Sequence, residues 1–132
     1  MNFDYESFPG FGFIEQDIDD SIKLQMLFAE LNRLERTMEI HGTPFVFVDD
    51  EKIRFCVDSG KKRFEGHKSW LKDIICEGSL DNPGLSNRTE LLRSILDCIS
   101  KEDVHPYVLF VLAQIIAIKG VKSFCGGAWA IW

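Results

Sequence analysis

The residues that could do chemistry in this chain are four cysteines, three histidines, one basic run and an acidic stretch near the start. Cys56, Cys76, Cys98 and Cys125 are widely spaced, with no C-x-x-C pair and no zinc-finger spacing. His41, His67 and His105 are scattered too, so a metal site would need the fold to gather them with a cysteine or carboxylate. No metal or other cofactor is expected. A nucleophile–base pair is conceivable between Cys56 and either His41 or His67, if a hairpin brings these regions together. Such catalysis also needs an orienting group and an oxyanion site, and the sequence displays neither. Dispersed cysteines usually serve as small core residues, and all four are expected as free thiols.

The remaining motifs fail on their spacing. Ser59 to Lys68 contains Lys61, Lys62, Arg63, His67 and Lys68, and it reads as a basic loop able to hold an anion. Ser59-Gly60-Lys61 invites a phosphate-loop reading. That motif requires glycine where Phe55 stands and a hydroxyl residue where Lys62 stands. Gly10 and Gly12 give only part of a dinucleotide fingerprint, because Glu15 occupies the third glycine position. Asp17-Ile18-Asp19 begins like a calcium loop, but the obligatory glycine position is Ile22.

The acidic stretch offers chemistry of a different kind. Asp4, Glu6, Glu15, Asp17, Asp19 and Asp20 fall within the first twenty residues, which hold no Lys or Arg. Phe3, Tyr5, Phe8, Phe11, Phe13 and Ile14 are interleaved with them. A carboxylate-rich surface can occupy a positively charged site and speed encounter with its owner. Asp4, Glu6, Asp17, Asp19 and Asp20 are therefore the candidate partner contacts, with Phe8 and Phe11 as aromatic anchors.

Composition agrees with a binding role. The chain has 132 residues and a net charge of −6, so it is expected to form one domain over residues 1–132 and to have no direct nucleic-acid binding. The start, MNFDYESFPG, has neither a basic n-region nor an apolar h-region, so no signal peptide and a cytoplasmic location are expected. The longest apolar run is shorter than the roughly 20 residues needed to span a bilayer, and no membrane partner is expected.

That run, Val104 to Lys119, is the element around which the others must assemble. It is interrupted within Tyr107 to Ile118 only by Gln114, so it reads as a helix buried on all sides. Asp103 is its expected N-cap, Pro106 is tolerated in the first turn, and Gly120 ends it. Gln114 then needs a hydrogen-bond partner or a solvent gap. Asp19 to Arg36 reads as an amphipathic helix whose apolar positions are Ile22, Leu24, Leu27, Phe28, Leu31, Leu34 and, just beyond, Met38, with Lys23, Glu30, Arg33 and Glu35 outside. Phe45 to Val57 reads as a β-hairpin turning at Asp49 to Lys52. A third strand is expected from Phe11 to Ile14, Met38 to His41 or Trp129 to Trp132. Ser69 to Cys76 reads as a short helix. Asn87 caps another, with Glu90 at capping-box spacing, which should form an antiparallel hairpin with the central helix. The apolar end, Ala128 to Trp132, should be tied into the core or serve as a hydrophobic anchor.

The fold expected is α+β: about four helices, one of them central and buried, with a small antiparallel sheet built on the hairpin. The function expected is a small acidic protein that binds and neutralises a basic protein partner, as an immunity protein blocks a bacterial toxin such as a nuclease. The alternatives are a small enzyme with a Cys–His site near the hairpin, and an adaptor subunit using its hydrophobic C-terminus.

Overall fold

The computed structural model describes residues 12–41, 53–76 and 87–126. Among the described residues the chain is all-helical, with no strand. A 3₁₀ turn, Phe13–Glu15, precedes α1 (Asp20–His41), α2 (Ile53–Ile75), α3 (Arg88–Ile99), α4 (Pro106–Lys119) and α5 (Val121–Cys125).

The expected sheet is thus overturned. Ile53 to Val57, read as the second strand, is the start of α2, and Met38 to His41 is the end of α1. Phe13 and Ile14 lie in the 3₁₀ turn. Phe45 to Lys52, Phe11 and Trp129 to Trp132 lie outside the described residues. The physical reason sits in α2. Its core-facing positions include Val57, Gly60, Phe64, Leu71 and Ile75, which have a helical period. Glycine at one of these positions, and polar residues around His67, made the same stretch resemble a turn and a basic loop. Ser59 to Lys68 is helix interior, continuous with the short helix expected from Ser69.

Gly60 is at that position because two backbones meet there. A Cβ built on Gly60 would lie 1.8 Å from the carbonyl oxygen of Phe28 in α1. Any side chain would force the helices apart, since both partners are rigid helical backbone. Phe28 and Phe64 flank this crossing edge-to-face, with ring centroids 6.0 Å apart. Further along, Asn32 meets Arg63 and Glu35 meets His67. The partners advance together, so α1 and α2 run parallel, with a register offset of 31 to 32 residues.

α4 is the buried helix the sequence implied, packed against α1, α3 and α5. Val108 to Ile118 are buried without interruption. Its start is two residues later than Asp103 suggested. Pro106 disfavours helical backbone at the preceding residue, so His105 is extended and Pro106 opens the helix. The His105 side chain caps it, Nδ1 accepting from the Tyr107 amide at 3.2 Å. Asn87 caps α3 as expected, Oδ1 accepting from the Thr89 amide at 2.7 Å. Arg88 at the start of α3 reaches the Ile118 carbonyl near the end of α4, at 3.4 Å, which makes this pair antiparallel. Gly120, at φ 93°, turns the chain from α4 into α5, a backbone conformation that glycine adopts freely.

The core is one cluster drawn from all five helices and Ile14. Phe124 of α5 joins it against Phe64, centroids 6.1 Å apart. Beside it, Cys76 and Cys125 form a disulfide, with Cα atoms 5.7 Å apart across 49 residues. This corrects the expectation of four free thiols, which holds for Cys56 and Cys98 only. Nothing in the sequence spacing reveals that the end of α2 and the end of α5 meet. In the loop-entropy account, closing a loop of that length contributes about 4 kcal/mol at 25 °C.

Candidate functional site

Two groups of side chains merit a functional reading: the His67 constellation between α1 and α2, and the acidic surface at the start of α1.

His67 sits at the far end of the parallel pair. The Trp70 indole donates to Nδ1 at 3.0 Å, and Nε2 stands 3.2 Å from both carboxylate oxygens of Glu35. An indole N–H only donates, so Nδ1 is the acceptor and Nε2 carries the hydrogen to Glu35. Both ring nitrogens are thereby committed. Cys56 lies eleven residues away on the same helix, about 16 Å along its axis. His41 is farther still: by the α1–α2 register Cys56 is level with Leu24, and seventeen residues of helix, about 25 Å, separate Leu24 from His41. The structure does not assemble the cysteine–histidine pair that the sequence left open. Among the described residues no cluster of three His, Cys, Asp or Glu side chains could hold a metal ion. Nor is any helix among them long and apolar enough to cross a membrane.

The basic run is dispersed in a similar way. Arg63 donates to Asn32 at 2.8 Å. Lys68 pairs with Glu65, and beyond the run the Lys72 ammonium lies 5.9 Å from the Phe124 ring centroid. These cations serve the helix surface and its contacts with α1 and α5.

The acidic surface is built by a set of ties around the 3₁₀ turn. Lys23, expected in solvent, is 2% exposed and donates to the Ile14 carbonyl at 2.7 Å. Glu15 accepts from the Thr89 amide at 3.1 Å and from its hydroxyl at 2.8 Å, tying the turn to the start of α3. Asp20 and Arg88 form two parallel hydrogen bonds, at 2.8 and 2.6 Å. This guanidinium holds the Asp20 carboxyl below its ordinary value, against a smaller opposing effect of burial.

Of the candidate contacts, Asp4, Glu6, Phe8 and Phe11 lie outside the described residues. Asp17, Asp19 and Asp20 are exposed near one another in the chain. Asp19 accepts from the Ser21 amide at 2.8 Å, as an N-cap does, and Asp20 is engaged by Arg88. Two residues of this region escaped the sequence reading. Ile22, placed in the core by its periodicity, is 51% exposed, and Met26, one turn on, is 52% exposed. Leu24, Leu27, Phe28, Leu31 and Leu34 are buried as expected, but Ile22 stands two residues from Leu24, about 200° around the helix, so it and Met26 lie on the opposite side of α1. Spacing of i and i+4 puts both on one side of α1, and Asp19, three residues before Ile22, begins the same side.

Comparisons with protein-family models, with curated proteins and with solved structures find no match to this chain.

Proposed function

We propose that this protein is a small acidic binding protein that masks a basic protein partner. An immunity protein covering the cationic site of a bacterial toxin, a nuclease for example, is the case that fits best. The observation carrying the reading is the composite surface at the start of α1. There, exposed Ile22 and Met26 supply apolar area on a stretch of chain that also carries the exposed carboxylates of Asp17 and Asp19. Apolar anchors give an interface its affinity, and the surrounding charge steers a cationic partner and selects it. A net charge of −6 supports the same complementarity. A cytoplasmic location belongs to this proposal. The Cys76–Cys125 bridge pulls the other way, because disulfides persist in oxidising compartments. The redox state of these two cysteines in the cell decides that point.

The test is affinity capture from the native host at low and high salt. The expected result is a basic protein bound one to one, with capture weakened by salt and lost in both Asp17→Lys and Met26→Asp. Both positions are exposed, so neither change should perturb the fold. Capture that survives both substitutions, or that is indifferent to salt, rules this surface out.

A further inference from the structure

The disulfide joins the residue that follows α2 to α5, the shortest α-helix among the described residues. α5 has five residues, too few to be stable as an isolated helix in water. It joins α4 through Gly120 alone, and nothing lies within 4 Å of where a Cβ would stand on that residue, so the joint is uncrowded. Among the described residues α5 is held by burial of Val121 and Phe124, the edge-to-face contact of Phe124 with Phe64, the Lys72 ammonium over the Phe124 ring, and the bridge. Cys76 is exposed and Cys125 half-buried, so the bridge is within reach of a solvent-borne reductant.

We propose that Cys76–Cys125 is a reversible redox clamp: a dithiol reductant opens it in the native protein and releases α5 from α2, while α1 to α4 stay folded. A reductant thiolate attacks the sulfur of Cys76. The S–S bond breaks, Cys125 leaves as a thiolate that takes up a proton, and a mixed disulfide forms at Cys76. The second thiol of the reductant, deprotonated, attacks the reductant's first sulfur in that mixed disulfide and expels Cys76 as a thiolate, which is protonated in turn. Two electrons pass from the dithiol, now a cyclic disulfide, to the two protein thiols. The free cysteines stay out of this exchange. Cys56 is buried, and burial together with the neighbouring Asp97 carboxylate pushes the Cys98 thiol up. The clamp works whether or not the acidic surface holds a partner.

The wild-type chain is equilibrated without denaturant in dithiothreitol buffers of graded redox poise. Thiols are mapped by alkylation and mass spectrometry, and backbone opening by hydrogen exchange. Reduction is expected to expose thiols at Cys76 and Cys125 and to speed exchange at residues 121–126 by about tenfold or more, while residues 108–118 stay protected. Oxidised dithiothreitol should restore the slow exchange. The double variant Cys76→Ser, Cys125→Ser should show the released pattern in every buffer. Three results overturn the clamp: reduction only after denaturant is added, loss of protection in α4 along with α5, or unchanged exchange in α5. Failure of the double variant to fold also overturns it, because the released state must be a folded one.

Discussion

The two helix pairs of this molecule are held by opposite means. α1 and α2 run parallel and are fixed by particular atoms: the Gly60–Phe28 backbone approach, Asn32 with Arg63, and Glu35 with His67 and Trp70. α3 and α4 run antiparallel, and α4 meets its neighbours with eleven consecutive buried residues. Arg88 ties the start of α3 to the end of α4, and Asn87 and His105 cap the two helices. Apolar burial is non-directional and scales with area, so it stabilises without selecting one register. A glycine contact and charge-assisted hydrogen bonds contribute less area but tolerate only one register. The first pair therefore specifies the fold's geometry, and the second supplies much of its mass.

Breaking the first pair should have the largest effect. Gly60→Ala places a Cβ against the Phe28 backbone, and over-packing between rigid elements should cost about 3 kcal/mol or more in urea unfolding. Gly66, six residues on in the same helix, is exposed with open space around a Cβ. Gly66→Ala should instead stabilise by roughly 0.5 to 1 kcal/mol through helix propensity. Equal effects at the two sites would mean that the close approach is not what fixes α1 on α2.

Next in size is His67→Ala, which removes the acceptor of Trp70 and the donor to Glu35 together. Losing two part-buried hydrogen bonds should cost about 1 to 2 kcal/mol. His67→Gln, which can still donate to Glu35, should recover part of that. No rescue would assign the loss to packing alone.

Gln114 sharpens the other side of the comparison. It is 3% exposed; its amide nitrogen reaches the Phe110 carbonyl only at 3.4 Å, and among the described residues its Oε1 has no partner. In an interface that works by apolar area, removing an unsatisfied polar atom should help. Gln114→Leu should raise stability by about 1 kcal/mol, read from the urea midpoint at constant slope. A loss would reveal a polar contact to Oε1 and make α4 more specific than it looks.

The same contrast explains what could be read from the sequence. α3 and α4 are legible because their signals are local: Asn87 at a cap, Pro106 and Gly120 at the two ends, and an apolar run between the last two that only Gln114 interrupts. α1 is legible as a helix, but its face is misjudged at Lys23, because the Ile14 carbonyl that captures its ammonium comes from another element, and at Ile22, whose two-residue step to Leu24 puts it on the opposite side. α2 was misread because its key positions answer to a neighbour. Gly60 is there for Phe28, and His67 for Glu35, and each in isolation looks like a break in the pattern. The meeting of Cys76 and Cys125 across 49 residues leaves no sequence signal at all. For the candidate site, the carboxylates were legible as composition. Their apolar companions Ile22 and Met26 were not, since periodicity placed Ile22 inside.

The smallest expected effect concerns a tie that belongs to neither interface. Asp20 at the start of α1 and Arg88 at the start of α3 form a two-pronged pair, and Arg88 also touches the end of α4. Its side chains are 49% and 35% exposed, so solvent screens the attraction, and a double-mutant cycle with Asp20→Asn and Arg88→Gln should give a coupling of at most about 1 kcal/mol. The sign of its pH dependence follows from the direction of the shift. Folding lowers the Asp20 carboxyl below its unfolded value, so the stabilisation is fully present above that unfolded value. It fades as pH falls through the folded value, where the native state also takes up the proton. Wild type and Asp20→Asn should therefore differ in stability at neutral pH and converge in acid, and added salt should shrink the neutral-pH gap. A gap that persists in acid and in salt would mean that Asp20 acts through shape rather than charge, aligning the starts of α1 and α3 as Gly60 aligns α1 with α2.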